Sequence, residues 1–350
     1  MSSAAADRHP TAIGGDRRTE AKHVVVPYGR TNSTVRTRAI HWVERLIAGG
    51  RLSAHEVVVH GPDEERRPLP AGEPVLLLRN ARPITRGRTE ARLLGRAVPG
   101  VYDLDDGLPW DDGTLPGLGR WWKRPFPRSL LAERAAYAAD RVVAGNEVLA
   151  EWASQHCREV RIVPTCVEPS EYRPRVAWDL DRPPLIGWIG SPATEHYLVS
   201  IAPALATIAA RTGARVEMIS GPGDVPEPLA AFTTRALWEP SSVERIGAWD
   251  VGLMPLADGV YERAKCGYKL LQYAASGVPT VASPVGVNRS LLAGMDGLAA
   301  TTVDEWVDAL DALLSEPPAR REQRARRGFV VAHDHSYDTW EAAWVDAVGW

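Results

Sequence analysis

Residues 265–286 read KCGYKLLQYAASGVPTVASPVG, and they hold the densest chemistry in the chain. Gly267 lets a backbone come close to a ligand, because no Cβ stands in the way. A helix is expected from Tyr268 to Ser276, and its start presents unpaired N–H groups and a partial positive charge. That suits an anion such as a diphosphate. Lys265 and Lys269 add two full charges beside it. Gln272 follows Lys269 by three residues, on the same helix face, where its amide can bond a sugar hydroxyl. Leu270, Leu271, Ala274 and Ala275 form the face that packs on a sheet. Gly277 and Pro279 end the helix before a buried strand. A merely solvated helix carries the same lysines, and spacing alone leaves both readings open.

A second cluster is Tyr102-Asp-Leu-Asp-Asp-Gly107. Asp103 and Asp105 have the spacing of a divalent-cation site. They equally suit orienting an acceptor hydroxyl or taking its proton. Ordinary turn and capping chemistry is the third reading. Arg79, at the end of the preceding strand, is placed to neutralise these charges. Arg120-Trp-Trp-Lys-Arg124 suits a membrane interface, an acceptor site, or a loop that packs its tryptophans inward.

These residues need a frame, and the alternation of apolar runs supplies one. Strands are expected at residues 23–27, 55–60, 74–78, 101–104, 141–144 and 160–163. Helices fall between several of them, at 36–48, 88–97, 130–139 and 147–155. Residues 168–184 are polar and proline-bearing, and read as a linker. A second series follows, with strands at 185–189, 215–219, 251–254 and 280–282. Its helices are expected at 197–211, 268–276 and 302–314. The segment 336–348 reads as one amphipathic helix. Strands alternating with helices predict parallel sheets covered on both faces. The fold class is therefore α/β, with two Rossmann-like doubly wound domains facing across a cleft. The expected divisions are a disordered tail at 1–21, a first domain at 22–175, a second at 176–332, and a helix at 333–350 reaching back to the first.

Composition narrows the function. The net charge of −3 argues against a general nucleic-acid binder. Three cysteines without a Cys-x-x-Cys pair argue against a disulfide framework or a zinc cage, and fit a reducing cytoplasm. No apolar run of the roughly 18 residues a spanning helix needs is present, and the first residues do not read as a secretory signal. Peripheral membrane contact stays compatible with this.

The stretch from Lys265 resembles the nucleotide-sugar motif of the family-4 glycosyltransferases, in the version Lys-Cys-x-x-Lys-Leu-x-x-Tyr. Asp250-Val-Gly-Leu-Met-Pro-Leu256 resembles the strand before the donor loop. Ile186-Gly-Trp-Ile-Gly-Ser-Pro-Ala-Thr194 resembles the first strand and loop of the donor domain. Pro27-Tyr-Gly-Arg-Thr-Asn-Ser33 resembles the glycine loop that opens the acceptor domain. The resemblance covers residues 23–348 and implies a GT-B fold. It implies retaining transfer of a sugar from a nucleoside diphosphate donor, UDP among the candidates, to a hydroxyl acceptor, with no required metal or other cofactor. The acceptor class, as lipid, polysaccharide or small metabolite, stays open.

By this resemblance Gly190, Ser191, Thr194, Cys266, Gly267, Tyr268, Lys269 and Gln272 bind the donor. Lys265 and Lys269 stabilise the leaving diphosphate, with Asp103 and Asp105 on the catalytic acceptor side. Gly29, Arg30 and Arg79 complete that side. The family pattern has two glutamates eight positions apart. Gln272 stands at the second and Ala264 at the first. That departure supports an alternative, a catalytically reduced nucleotide-binding partner subunit. A metal-dependent enzyme of the GT-A type, using Asp103 and Asp105, is the other alternative.

Overall fold

The structure is a computed structural model that describes residues 21–26, 32–61, 69, 71–80, 85–111, 127–180 and 182–350. The first half builds one six-stranded sheet from β1 (Lys22–Val25), β2 (Val57–His60), β3 (Val75–Leu78), β4 (Gly100–Leu104), β5 (Arg141–Ala144) and β6 (Val160–Ile162). Its helices are α1 (Ser33–Val35), α2 (His41–Ala48), α3 (Arg88–Leu94), α4 (Arg128–Ala138) and α5 (Glu147–Ala153). The sheet order is β2-β1-β3-β4-β5-β6, and every pair is parallel. Central strands such as Val75–Leu78 are buried along their whole length. Parallel sheets demand this, because crossover helices cover both faces.

The second half repeats the plan with β7 (Leu185–Ile189), β8 (Arg215–Ser220), β9 (Thr233–Leu237), β10 (Val251–Met254), β11 (Thr280–Ala282) and β12 (Leu298–Ala299). Its helices are α6 (Glu195–Ser200), α7 (Ala202–Thr212), α8 (Val260–Arg263), α9 (Tyr268–Ala275), α10 (Asn288–Met295), α11 (Val303–Ser315) and α12 (Pro318–Asp334). The order β12-β11-β10-β7-β8-β9 reverses direction between β7 and β10. Ligands of doubly wound sheets sit at the carboxyl ends of the strands flanking such a switch. Here those ends lead into Gly190–Thr194 and into the segment running to α9.

The last helix, α13 (Tyr337–Val348), packs on the first sheet's core. Trp344 stacks on Trp42 at 5.3 Å between ring centroids, and the Tyr337 hydroxyl donates to the Thr37 carbonyl at 3.1 Å. Asp250, fully buried before β10, is held by Arg175 at 2.7 Å and Arg182 at 2.8 Å from the connecting segment.

Beyond α1, α8, α10 and β12, none of which was expected, three elements differ from the expected series. The single helix expected at 197–211 is broken into α6 and α7, because Pro203 in the first turn of α7 has no N–H to continue the ladder. Strand β9 was not expected: it is an edge strand whose Thr233 alone is buried, so it carries no apolar run. Helix α12 was not expected either. Its buried residues include Arg321, Arg324 and Gly328, and polar identities conceal its inward face. The guanidinium of Arg324 is satisfied by Glu316 at 2.6 Å. Gly328 brings α12 so close to α9 that an added Cβ would lie 3.3 Å from the Ala274 backbone.

Candidate active site

From the second domain, Gly267 caps α9 in the left-handed conformation, with φ +68°. An added Cβ there would meet Leu291 Cδ1 at 2.5 Å. No side chain caps the helix. Among the described residues, the N–H groups of Gly267, Tyr268 and Lys269 have no acceptor. The helix start is therefore open to an anion.

Lys269 reaches back over the Trp188 ring, 5.6 Å from its centroid. This links α9 to the end of β7. Its ammonium has no carboxylate partner among the described residues. Burial, then repulsion from Lys265, pulls its pKa from 10.5 down to about 8. A largely desolvated cation that lies on an aromatic face, with no carboxylate bonded to it among the described residues, is poised to take an anion.

Lys265 is placed differently. Its Nζ lies 3.2 Å from Asp106 Oδ1, across the cleft in the first domain, and 4.7 Å from the Tyr261 ring centroid. Burial would raise the Asp106 carboxyl, yet Lys265 and Arg79 hold it at about 2. The Tyr261 hydroxyl also donates to Asp106, at 3.4 Å. Asp106 was not among the residues expected at the site. It is the third acid of the Asp-Leu-Asp-Asp run, where turn chemistry masked it.

The other two acids are occupied. Arg38 takes both oxygens of Asp103, at 2.9 and 2.6 Å, in the interior. Burial alone would lower the Arg38 pKa, but Asp103 raises it above its ordinary range. Asp103 therefore fixes the end of β4 and does not present an oxygen to the cleft. Asp105 accepts from Arg79 Nε at 2.6 Å. Arg79 is held at φ +55°, a strained conformation for a residue with a side chain.

Around the loop after β7, the N–H of Gly190, a residue expected to bind the donor, donates to the Ile219 carbonyl at 2.9 Å, so sheet pairing takes it. Gly190 is needed for space instead: a Cβ would run into the Trp188 ring. Thr194 turns its N–H and its hydroxyl onto the Ser191 carbonyl, each at 2.9 Å. Ser191 stays exposed at the tip. Gln272 is buried beside the Tyr172 hydroxyl, which itself lies 3.4 Å from that of Tyr268.

Two glycines bring the domains together. A Cβ on Gly145 would run into Cys266 Sγ, and one on Gly107 would lie 2.6 Å from the Tyr261 ring. Cys266 Sγ contacts the Asp105 carbonyl at 3.2 Å, and burial pushes its thiol up to about 12. Asn146 Nδ2 donates to the Ala264 carbonyl at 2.8 Å. Ala264 is buried within the first domain's apolar cluster. The carboxylate nearest in sequence, Glu262, accepts from the Tyr197 hydroxyl at 2.5 Å. Gly29 and Arg30, and the Arg120–Arg124 run, lie outside the described residues.

Residues 184–316 match the family described as glycosyl transferases group 1. No curated protein matches the sequence. Among solved structures, the chain is similar to WaaG, a glycosyltransferase involved in lipopolysaccharide biosynthesis, with 13% identity, 94% of this chain and 100% of that one covered, and a TM-score of 0.65. It is similar to an α,α-trehalose-phosphate synthase (UDP-forming) from Burkholderia vietnamiensis, with 12% identity, coverage of 95% and 99%, and a TM-score of 0.62. A trehalose-6-phosphate structure from E. coli bound with UDP-2-fluoro glucose gives 16%, 82% and 75%, and 0.54. The fold is GT-B, and its second domain is a group 1 glycosyltransferase domain. This corrects the GT-A alternative: the two parallel sheets exclude that fold, and Asp103, its first proposed ligand, already has both oxygens on Arg38.

Proposed function

We propose that this protein transfers a sugar from a nucleoside diphosphate donor to a hydroxyl acceptor, with retention of configuration and without a metal. The observation that carries this reading is the Lys269 ammonium, without a carboxylate partner among the described residues, beside the open start of α9 at the switch point of the second sheet. As the bond from the anomeric carbon to the diphosphate breaks, negative charge grows on the leaving oxygen. Lys269 and the helix N–H groups oppose it in a site drier than water. The acceptor oxygen bonds the anomeric carbon on the face the diphosphate leaves, and its proton passes to the departing phosphate. Retention rests on the family resemblance.

Lys265 joins by exchanging Asp106 for phosphate. Asp105 and Arg79 line the acceptor side. The similarity to a structure bound with UDP-2-fluoro glucose supports a uridine donor. Three free thiols suit a reducing compartment such as the cytoplasm. No helix among the described residues is long and apolar enough to cross a membrane.

The test is UDP release from a panel of UDP-sugars by wild type and Lys269→Ala. The reading expects slow release by the wild type and a loss of roughly 10²–10³ in the variant. Equal rates in both would overturn it. Ala264 favours a second reading, a nucleotide-binding partner subunit without turnover, because its burial leaves no carboxylate there. UDP-induced stabilisation with no release from any donor would select that reading.

A further inference from the structure

Lys265 and Asp106 come from different domains, and their bond spans the cleft. Lys265 Nζ donates to Asp106 Oδ1 at 3.2 Å. Both side chains are largely shielded from water, at 15% and 16% exposure, so salt screens the attraction weakly. Among the described residues, Asp106 is the one carboxylate in ion-pair reach of Lys265. The two oxygens of Asp106 are used unequally. Oδ2 lies 3.4 Å from Arg79 Nη2 and accepts from the Tyr261 hydroxyl at 3.4 Å. Oδ1 accepts from the Gly107 N–H at 2.9 Å and from Lys265. A carboxylate oxygen has room for two donors. Departure of Lys265 therefore opens one acceptor position on Oδ1, while Gly107 and Arg79 keep the carboxylate aimed.

The pair also stands beside the donor site. Lys265 is two residues ahead of Gly267, the residue that caps α9. The Lys269 ammonium feels both partners, since Lys265 lowers its pKa and Asp106 raises it. A diphosphate seated at the start of α9 therefore meets Lys265 as well as Lys269. It offers Lys265 more negative charge than one carboxylate does.

We propose that Asp106 gates the site: before a donor binds, it holds Lys265 and latches the two domains, and when the donor's diphosphate draws Lys265 away, the position opened on Asp106 Oδ1 receives the acceptor hydroxyl. The donor then binds before the acceptor. The gate rests on the transferase reading and adds to it an order of binding and a partner for the acceptor.

The experiment uses the full chain as wild type, Asp106→Asn, Lys265→Met and the double variant. Calorimetry with UDP reads the exchange. Asp106→Asn lacks the competing charge and should bind UDP about tenfold more tightly, the scale of one charge-assisted contact. The gain should vanish in the Lys265→Met background. Unchanged or weaker binding by Asp106→Asn would overturn the exchange, as would a gain that persists without Lys265, which would come from the general field of the cleft. Maleimide labelling of Cys266, located by peptide mass, reads the latch without nucleotide, because Cys266 Sγ packs against Gly145 across the same contact. Asp106→Asn should label about tenfold faster, by the same loss of one contact. An equal rate would overturn the latch. UDP release from UDP-sugars, with water as the acceptor hydroxyl, reads the last step. Asp106→Asn should lower kcat and donor KM together, and an unchanged kcat would remove Asp106 from the acceptor. No release by the wild type would select the partner-subunit reading and end the acceptor role. No UDP binding by any of the four proteins would sink the donor site itself. In both cases the labelling still decides the latch.

Discussion

At the scale of single residues, Lys269 carries a cost and a function together. The unfolded chain keeps this proton up to the ordinary 10.5, whereas the fold releases it near 8. Between those values the unfolded state binds more protons, so stability rises with pH; below about 8 the fold bears the full cost of the buried charge. Lys269→Met should therefore stabilise the unliganded protein at pH 7, by about 1–2 kcal/mol after solvent screening, and abolish stabilisation by UDP. A thermal melt with and without UDP checks both halves, and a destabilised variant that still responds to UDP contradicts the assignment. The same pKa predicts that UDP affinity falls as pH rises through 8 in the wild type, because the free protein loses the charge that the diphosphate needs. An affinity flat from pH 7 to pH 9.5 contradicts it. That Gly267, Lys269 and Gln272 share the start and body of one helix was legible in the sequence, because they lie within one turn or two of each other. Asp106 was not legible as their partner, since nothing local says that it meets Lys265 of the other domain.

At the scale of elements, helix α9 is held from behind and left open in front. Gly328 lets α12 pack directly on Ala274, and Gly267 supplies the left-handed turn that aims the helix start. Gly267→Ala meets Leu291 and a positive φ, and should cost about 1–2 kcal/mol for the backbone alone. Its Tm should fall by several degrees, with weaker UDP binding. A variant with wild-type Tm and affinity would show that the turn is not required. The strands and α9 could be read because buried parallel strands are continuous apolar runs and α9 has a clear apolar face. Helix α12 could not be read, because Arg321 and Arg324 are buried through ion pairs with acids distant in the sequence or outside the helix. The bond of the Gly190 amide was illegible for a related reason: only the sheet shows that its N–H goes to the Ile219 carbonyl.

At the scale of the whole molecule, the two domains meet through Gly145, Asn146 and Asp106 on one side and residues 261–266 on the other. Gly145→Ala inserts a methyl group against Cys266 Sγ and should hold the domains apart. Small-angle scattering should then report a larger radius of gyration, and any donor turnover should shift toward hydrolysis as water enters. An unchanged radius would show that the contact is not closely packed in solution. The two-sheet plan was visible in the alternation of segments, whereas the domain contact depends on side chains far apart in the chain. The central claim is that the start of α9 and Lys269 bind a nucleoside diphosphate. It is tested most directly by thermal unfolding of wild type and Lys269→Ala with UDP, GDP, dTDP and ADP, each with magnesium and with chelator. At about 100 times its dissociation constant, a bound nucleotide stabilises by roughly 2.7 kcal/mol, a shift of several degrees. The predicted result is a shift by UDP that survives chelation in the wild type and vanishes in Lys269→Ala. A shift that requires magnesium and persists in the variant, or no shift with any nucleotide, would contradict the account.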